Sequence, residues 1–373
     1  MADEARDAPP TASGHVLVSG GGSGGHVFPA LAIGEALLER GWRVSFAGDP
    51  RGMEARLIAQ RGHALVPFPA RGVVGRGALE RLAALATLVR SGFAARRWVR
   101  RNGVDAAVTT GGYASVPAAL GAAWSGRPLV LVEPNVRAGA ANRWLSKRAR
   151  VAAIAHAGTA SDLRCPSFVA GVPVRPELFE VAPLAAAAPP RLLVLGGSQG
   201  ARGLNRRIVA AAPALLERLP DLTILLQCGE RWIEETRELA AGVAPAERAR
   251  LEIAPFVVDV AGALASASLV ASRAGAITLA ELCAAGRPAV LFPLALAGGH
   301  QRANAEALAA AGAADVLDLE TTTPGQLEAL LGRRLAAPGE LAAAGRRARA
   351  LARPGAAAAI ADRVEQVAGR RAA

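Results

Sequence analysis

The chain has 373 residues, of which 52% are hydrophobic and 20% are charged; this excludes an intrinsically disordered protein and leaves room for two domains of about 150 residues each. The formal net charge is +12, and almost all of the positive charge is arginine because Lys147 is the only lysine. This excess predicts an acidic partner, and the aromatic content of only 4% favours a membrane surface over nucleic acid.

The cysteines and the first residues favour a cytosolic protein. Cys165, Cys228 and Cys283 are odd in number, far apart and outside any C-x-x-C pair, so we expect reduced thiols rather than disulfides or a zinc site. Residues 1–13 are acidic and contain proline, which predicts a disordered extension rather than a signal peptide. No apolar run approaches the roughly 18 residues that a membrane span needs.

The first predicted strand, at 15–18, runs into the glycine-rich stretch SGGGSGGHVFPA at 19–30, and a helix follows. Such a loop points backbone N–H groups and a helix N-terminus beyond the sheet edge, where anions and polar sugars bind. His26 is the ionisable group nearest to that ligand. A structural role at the helix start is an equally good interpretation of this histidine.

The rest of the N-terminal half alternates short apolar runs with helices. Strands predicted at 42–48, 64–68, 106–110 and 128–132 indicate a parallel α/β sheet, whose ligands bind at the carboxyl ends of the strands. Polar groups follow three of the strands, at His26, at 109–115 and at 133–135. We therefore expect a binding cleft there, with Glu133 as a functional group or as a cap of the next turn.

Residues 71–101 combine leucines at three-residue spacing with many arginines, which predicts an amphipathic helix. Its apolar face can pack on the sheet. Alternatively, Val73, Val74 and the arginines around them contact an anionic bilayer. Taken alone, the pattern favours packing on the sheet.

The second half repeats the opening pattern. A Pro- and Ala-rich linker at 175–190 precedes a strand at 191–195, a glycine-rich loop at 196–200 and a helix, and further strands are predicted at 222–227, 251–256, 269–272 and 289–293. We predict an N-terminal domain at 14–174 and a C-terminal domain at 191–354. A last helix, at about 355–373, is expected to pack back on the N-terminal domain.

The loop at 272–278 opens a helix that carries Glu281. A glycine at such a junction lets a phosphate approach the helix N-terminus, and a glutamate one turn further can accept bonds from two ribose hydroxyls. The pattern therefore predicts a nucleotide. Simpler interpretations remain for the neighbouring polar residues, because Arg175 can be a linker charge, and His300 and Gln301 can be ordinary residues of a helix start.

A dinucleotide site is the main alternative for the first loop. Gly20-x-Gly22-x-x-Gly25 satisfies that fingerprint, and Asp49 ends the second strand where a ribose-binding acid is expected. This interpretation leaves the loop at 196–200 and Glu281 without a role.

The motifs GGGSGGHVFPALAIGEAL, TGGYASVPAALGA, EPN, GVPVR, GGSQGAR, SRAGAITLAEL and HQRANA occur in this order from residue 20 to residue 305. Together they resemble the MurG family of peptidoglycan N-acetylglucosaminyltransferases, over about residues 14–370. The resemblance implies an α/β fold of GT-B type, in which two Rossmann-like domains with parallel sheets face a central cleft. The chain departs from the family pattern at Pro134, Val172 and Gly299, where the family usually has Gln, Asn and Asp, respectively.

The resemblance also implies site residues, with the uracil near Val257, the ribose on Glu281, the sugar near His300 and Gln301, and no metal or other cofactor. Contacts to the donor UDP-GlcNAc are assigned to Ser23, Gly24, Gly25, Asn135, Arg175, Ser198, Gln199, Val257, Arg273, Gly275, Ala276, Ile277, Thr278, Leu279, Ala280, Glu281, His300, Gln301 and Asn304.

The implied reaction is an inverting transfer. The C4 hydroxyl of the N-acetylmuramoyl unit of lipid I attacks C1 of UDP-GlcNAc, and the product is lipid II of peptidoglycan synthesis. His26 is our first candidate for the general base and Glu133 the second. No D-x-D motif is present, so we expect helix N-termini, Ser198 and Arg175 or Arg273 to stabilise the diphosphate.

The lipid acceptor changes the interpretation of residues 71–101. A peripheral enzyme at the cytoplasmic face of the membrane needs a basic and apolar rim, so the resemblance favours anionic membrane contact through Val73, Val74, Arg76 and Arg81. Two other classes of protein remain as alternatives: a sugar-nucleotide epimerase of the same architecture, and a binder without catalytic activity.

Overall fold

The computed structural model describes residues 14–72, 77–185, 188–197, 199–294 and 299–369. The chain divides into two compact units: one holds the residues up to Pro173 and again from Gly355, and the other is Val174–Pro354. Within the described residues, no helix is both long and apolar enough to cross a lipid bilayer.

The first unit is built on one parallel sheet. Its strands are β1 (His15–Ser19), β2 (Arg43–Gly48), β3 (Leu65–Pro67), β4 (Ala106–Thr109), β5 (Leu129–Glu133), β6 (Val151–Ile154) and β7 (Ser167–Val169). They lie in the order β3-β2-β1-β4-β5-β6-β7, and each neighbouring pair is parallel. Strands β1 and β5 are buried along their whole length, which explains their nearly continuous apolar sequences.

Helices connect these strands. They are α1 (Gly24–Glu39), α2 (Met53–Gln60), α3 (Ala78–Arg101), α4 (Val116–Trp124) and α5 (Ala140–Leu145), with 3-10 helices at Tyr113–Ser115 and Ala157–Asp162. Because β1, β4 and β5 are neighbours in the sheet, the loops that follow them meet at one edge.

The second unit has the same plan. Its strands are β8 (Arg191–Leu195), β9 (Thr223–Gln227), β10 (Leu251–Ala254), β11 (Leu269–Ser272), β12 (Ala289–Leu291) and β13 (Ala314–Val316), in the parallel order β10-β9-β8-β11-β12-β13. Its helices are α6 (Arg202–Arg218), α7 (Ile233–Ala240), α8 (Pro245–Arg248), α9 (Val260–Ser266), α10 (Ala276–Ala285), α11 (His300–Ala310), α12 (Pro324–Leu335) and α13 (Pro338–Ala350), with 3-10 helices at Pro176–Glu180 and Glu230–Trp232.

The first part of the predicted linker packs as part of the second unit. Leu178, in the 3-10 helix Pro176–Glu180, is fully buried in that core. Two arginines bind the backbone that follows it: Arg287 donates to the carbonyl of Ala182 at 3.0 Å, and Arg349 to that of Val181 at 2.6 Å. The two guanidinium groups therefore attach this part of the predicted linker to the second unit through its backbone carbonyls.

The last helix, α14 (Ala356–Val367), belongs to the first unit. Its Ile360 and Val364 are fully buried in the core that also holds β1 and α1. Glu365 accepts a bond of 2.9 Å from the indole N–H of Trp42, and Arg40 pairs with Asp362 at 2.6 Å. Apolar burial and these polar contacts together attach the helix to α1.

Candidate functional site

The first cluster of predicted residues lies at the carboxyl end of the first sheet. His26 lies in the first turn of α1, directly after the glycine-rich loop, and is partly buried. Its Nδ1 lies 2.8 Å from the carbonyl oxygen of Thr110, which follows β4. A carbonyl can only accept, so Nδ1 carries a proton, and in the neutral form of the ring the lone pair is on Nε2.

The loops on either side hold this ring in place. The Thr110 hydroxyl donates back to the carbonyl of His26 at 2.6 Å, which makes the link reciprocal. Gly112 has a φ of +80°, and a Cβ there would overlap the carbonyl oxygen of Gly21 and approach the His26 ring to 3.0 Å. Only glycine allows the two loops to pack this closely.

Glu133, the second candidate base, has every acceptor position of its buried carboxylate occupied. Oε1 accepts from the backbone N–H of Asn135 at 3.1 Å and from its side-chain amide at 2.8 Å. Oε2 accepts from Gly139 at 2.8 Å and from the amide of Asn142 at 2.9 Å. Four donors saturate a carboxylate, so this group organises the loop that carries Asn135.

A carboxylate that the sequence did not single out lies behind the first glycine-rich loop. Glu54, in α2, is fully buried and accepts from the N–H of Gly22 at 3.2 Å and from that of Asp49 at 3.1 Å. The Gly22 N–H therefore faces a protein carboxylate instead of a phosphate. A dinucleotide site would need this N–H to bind the pyrophosphate, so the contact with Glu54 argues against the dinucleotide alternative for this loop.

Asp49 does not have the environment of a ribose-binding acid either. Its carboxylate accepts from the backbone and side chain of Arg51 and from the N–H of Ala70 at 3.1 Å. Burial raises the pKa of Asp49, but the bonds from Arg51 and Ala70 lower it by more, so the net direction is down. The residue ties the end of β2 to the segment after β3.

In the second unit, the glycine-rich loop follows β8. Gly197 has a φ of +81° and its carbonyl accepts from the N–H of Gly200 at 2.9 Å, so the loop closes as a tight turn. The predicted Gln199 is exposed on this turn, and Val257, after β10, is half-buried. The predicted Ser198 lies outside the described residues.

The start of α10 has the features of an anion site. Gly275 caps the helix without any side-chain cap, and the first N–H groups of a helix have no intrahelical acceptor. The predicted contacts Ala276, Ile277, Thr278, Leu279 and Ala280 form this first turn and a half. Arg273, just before it, donates to the carbonyl of Phe292 at 3.2 Å, and burial lowers its pKa.

Arg175 and Glu281 come together although they are 106 positions apart. Their side chains form an ion pair with Nη2 and Oε1 at 3.1 Å. Burial raises the pKa of Glu281, and the nearby Arg175 offsets only part of this rise. The pair therefore joins the segment before the 3-10 helix Pro176–Glu180 to α10.

The start of α11 packs against the same loop. Asn304 is buried and donates to the carbonyl of Ala274 at 3.3 Å, while Gln301 accepts from the N–H of Leu294 at 2.9 Å. His300 is partly buried, and its Nδ1 has no hydrogen-bond partner among the described residues. Asn304 thus fixes the loop, while His300 and Gln301 lie at the helix start.

Helix α3 leaves its apolar stripe uncovered. Leu79, Leu82 and Leu85 are 84%, 67% and 53% exposed, and Phe93 continues the stripe at 57%. The expectation that this face packs on the sheet is therefore wrong for these residues: other positions of the helix, such as Leu88 and Val99, are buried. Arg81 is exposed beside the stripe, and Val73, Val74 and Arg76 lie outside the described residues, as do residues 1–13.

The two sites differ in what they can do chemically. The first unit offers an imidazole with an acceptor nitrogen, and the second offers a helix N-terminus next to arginines and a carboxylate. The described residues contain no cluster of three or more His, Cys, Asp or Glu side chains suited to a metal ion. Sequence patterns did not single out Glu54, or Gln227, which ends β9 and whose side-chain amide donates to the carbonyls of Gly197 and Pro255. A lone polar residue at the end of an apolar strand is the signal that could have indicated Gln227.

Comparisons with known proteins match both units. The model of the glycosyltransferase family 28 N-terminal domain matches residues 16–154, and that of the C-terminal domain matches 191–361. The chain is 41% identical over 360 residues to the UDP-N-acetylglucosamine–N-acetylmuramyl-(pentapeptide) pyrophosphoryl-undecaprenol N-acetylglucosamine transferase of Halorhodospira halophila, covering 95% of this chain and 98% of that one. The Stutzerimonas stutzeri protein of the same name is 42% identical over 93% of this chain and 97% of its own.

Solved structures of known proteins share the fold of this chain. The crystal structure of Acinetobacter baumannii MurG superposes with a TM-score of 0.77 at 34% identity, over 95% of this chain and 99% of that one. A putative UDP-N-acetylglucosamine 2-epimerase from Listeria monocytogenes gives a TM-score of 0.65 at 14% identity, over 94% and 96%. The second likeness shows a common fold only.

Proposed function

This chain belongs to the MurG family within glycosyltransferase family 28, and we propose that it transfers GlcNAc from UDP-GlcNAc to the C4 hydroxyl of the MurNAc unit of lipid I, forming lipid II. It is a glycosyltransferase with two parallel-sheet α/β domains of the GT-B type, as the sequence motifs predicted. The observation that carries the reaction is the identity to curated transferases of this name along almost the entire chain.

We propose His26 as the general base. The bond from its Nδ1–H to Thr110 supports this role, because it leaves Nε2 as the nitrogen that can take the C4 hydroxyl proton while C1 is attacked. Attack from the face opposite to UDP inverts the anomeric carbon and gives a β-1,4 bond. Glu133 is less suited, since four donors already occupy its oxygens; we propose that it orients the loop of Asn135.

The leaving UDP gains negative charge as the sugar bond breaks. We propose that the N–H groups at the start of α10, the loop at Gly197 and the guanidinium of Arg175 or Arg273 stabilise this charge. Glu281 would accept the ribose hydroxyls, and its ion pair with Arg175 supports the placement of a phosphate-binding cation beside a ribose-binding acid. Val257, His300 and Gln301 are proposed to contact the uracil and the sugar.

We propose that the protein works as a peripheral enzyme at the cytoplasmic face of the membrane. The acceptor is anchored by a polyprenyl chain, and the exposed leucines of α3 next to Arg81 give the mixed apolar and basic surface that an anionic bilayer attracts. Val73, Val74 and Arg76 precede this helix and are proposed to take part.

A UDP-release assay with UDP-GlcNAc and a short-chain lipid I analogue tests the reaction. We expect UDP release only when both substrates are present, with a disaccharide-linked lipid as the product. The epimerase alternative is not favoured by the relatives, and it predicts conversion of UDP-GlcNAc without any lipid. Either that conversion or no turnover at all with the lipid analogue would contradict the proposal.

A further inference from the structure

The side chain of Gln227 links the loop after β8 to the loop after β10. The sequence predicts that these two loops bind different parts of UDP-GlcNAc. It ends β9, the strand that lies between β8 and β10 in the sheet, and it is only 4% exposed. Its side-chain Nε2 lies 3.1 Å from the carbonyl oxygen of Gly197 and 3.2 Å from that of Pro255. One amide group, with two N–H hydrogens, thus donates to a loop on each side of its own strand.

These loops are the ones proposed to bind the two ends of UDP. Gly197 lies in the turn after β8, on the diphosphate side, and Pro255 lies two residues before Val257, on the uracil side. We propose that Gln227 is a positioning residue for the nucleotide: it fixes the distance between the diphosphate loop and the uracil loop. This inference rests on the proposed function of the same site.

The local backbone explains why the turn at Gly197 needs the hydrogen bond from Gln227. Gly197 has a positive φ, and a Cβ at that position would meet no described atom within 4 Å, so no described side chain supports the turn from that side. Its carbonyl accepts only one backbone bond among the described contacts, from Gly200 at 2.9 Å, and the Gln227 amide supplies a second. Gly200, at the other end of the turn, packs closely against Cys228 and Gly229, so the Gln227 amide acts mainly on the Gly197 end.

The bases of both loops are fixed independently of this side chain. The N–H of Gly196 donates to the backbone carbonyl of Gln227 at 3.2 Å, and the N–H of Gly229 donates to Pro255 at 3.1 Å. Removing the amide should therefore leave the sheet intact and release the turn at Gly197. The expected effect is on how well one ligand engages both loops at once.

Competition titrations with UDP and with uridine on the full chain measure this coupling. In the parent protein, UDP should bind more tightly than uridine, because it reaches both loops. In Gln227→Met, which keeps the length and removes both donors, we expect this ratio of affinities to fall about tenfold, since a buried hydrogen bond is lost. Gln227→Glu should reduce it further, because carboxylate oxygens would face two carbonyls and the diphosphate.

Gln326→Met is the matched control. That glutamine caps α12, so its replacement should lower the melting temperature and leave the UDP-to-uridine ratio unchanged. A role of Gln227 in folding alone would give the same pattern as this control, and it would overturn the inference. If Gln227→Met does not fold, Gln227→Asn, whose shorter amide cannot span both carbonyls, gives the same test.

Turnover separates this inference from the proposed function. We expect Gln227→Met to raise the KM for UDP-GlcNAc and leave the KM for the lipid acceptor near that of the parent. If the parent protein binds UDP and all Gln227 variants keep the parent ratio, only the positioning role is wrong. If the parent protein does not bind UDP, the proposed function fails, and the positioning role fails with it.

Discussion

His26 and Thr110 hold each other by two hydrogen bonds in opposite directions: imidazole to carbonyl at 2.8 Å and hydroxyl to carbonyl at 2.6 Å. The first bond sets which ring nitrogen carries the proton, and the second fixes the backbone of the helix start from which the ring projects. The position and the tautomer of the proposed base therefore depend on Thr110, the residue that directly follows β4.

Replacing His26 by Asn separates these effects. The asparagine amide can replace Nδ1–H as a donor to Thr110, but it has no equivalent of Nε2. We expect kcat to fall by about 10²–10⁴-fold, the usual contribution of a general base, with little change in the KM for UDP-GlcNAc. Steady-state kinetics with the lipid I analogue provide the measurement. Thr110→Ser, which keeps both bonds, should retain nearly full activity; unchanged turnover in His26→Asn would remove this residue as the base.

Replacing Glu133 by Gln tests the second candidate base. The carboxylate now accepts hydrogen bonds from Gly139 and Asn142, whereas the NH2 group of glutamine would face these same N–H donors. We therefore expect the free energy of unfolding to fall by about 1–3 kcal/mol. The pH profile of kcat should keep its shape, because in our proposal His26, and not this carboxylate, takes the proton of the acceptor hydroxyl. A variant with parent stability and no turnover would instead indicate Glu133 as the base.

Much of this fold follows from the sequence, for reasons visible in particular elements. Strands β1, β5 and β8 are apolar runs buried between helices, and the glycine-rich loops after β1 and β8 mark both sheets. Strands β6, β7 and β13 were not predicted; each has only three or four residues, and β7 and β13 lie at the edges of their sheets. Short edge strands are defined mainly by their neighbours.

The candidate site was less accessible to such reasoning. Separate motifs indicate Arg175 and Glu281 as site residues. Their ion pair could not be predicted, because it depends on how the segment before Pro176 packs on α10. Likewise, the leucine spacing in α3 predicts an amphipathic helix and does not say whether another element covers its apolar face. The role of Glu54 arises only when α2 folds under the first loop.

Glu281→Ala should remove the discrimination between UDP and 2′-deoxy-UDP. In the parent protein we expect UDP to bind about tenfold more tightly, because the carboxylate accepts the ribose hydroxyls. Burial raises the pKa of Glu281, so the group gains a proton at a higher pH than an exposed glutamate, and UDP affinity should decline as the pH falls through that value. Isothermal titration at several pH values measures both effects; equal preference for the two ligands in the parent would contradict the ribose assignment.

The exposed stripe of α3 predicts a membrane contact. Leu82→Ser combined with Leu85→Ser should weaken vesicle binding about tenfold or more, since the lost apolar burial is worth roughly 1 kcal/mol or more per side chain. Arg81→Glu should weaken binding to anionic vesicles and leave zwitterionic vesicles unaffected. Sedimentation with both kinds of vesicle is the measurement.

Leu239→Ser is the control for this stripe, because Leu239 is also an exposed leucine, at 41%, and lies on α7 in the second unit. It should bind vesicles like the parent protein. If the double variant of α3 also binds like the parent, α3 is not the membrane contact.

Asp49→Asn tests whether this carboxylate stabilises the first unit. Bonds from Arg51 and Ala70 lower the pKa of Asp49 below its ordinary value of 3.8, so its contribution is complete above that value and is lost as the pH falls through the lower, folded pKa. We expect the parent to exceed the variant by about 1–3 kcal/mol in unfolding free energy at neutral pH, and the difference to vanish in acid.

Denaturant unfolding followed by tryptophan fluorescence reports mainly on this unit, since Trp42, Trp98, Trp124 and Trp144 lie in it and only Trp232 lies in the other. Asp318→Asn, an exposed site in the second unit, should leave this transition unchanged; a difference between parent and Asp49→Asn that persists unaltered into acid would show that the effect is steric rather than electrostatic.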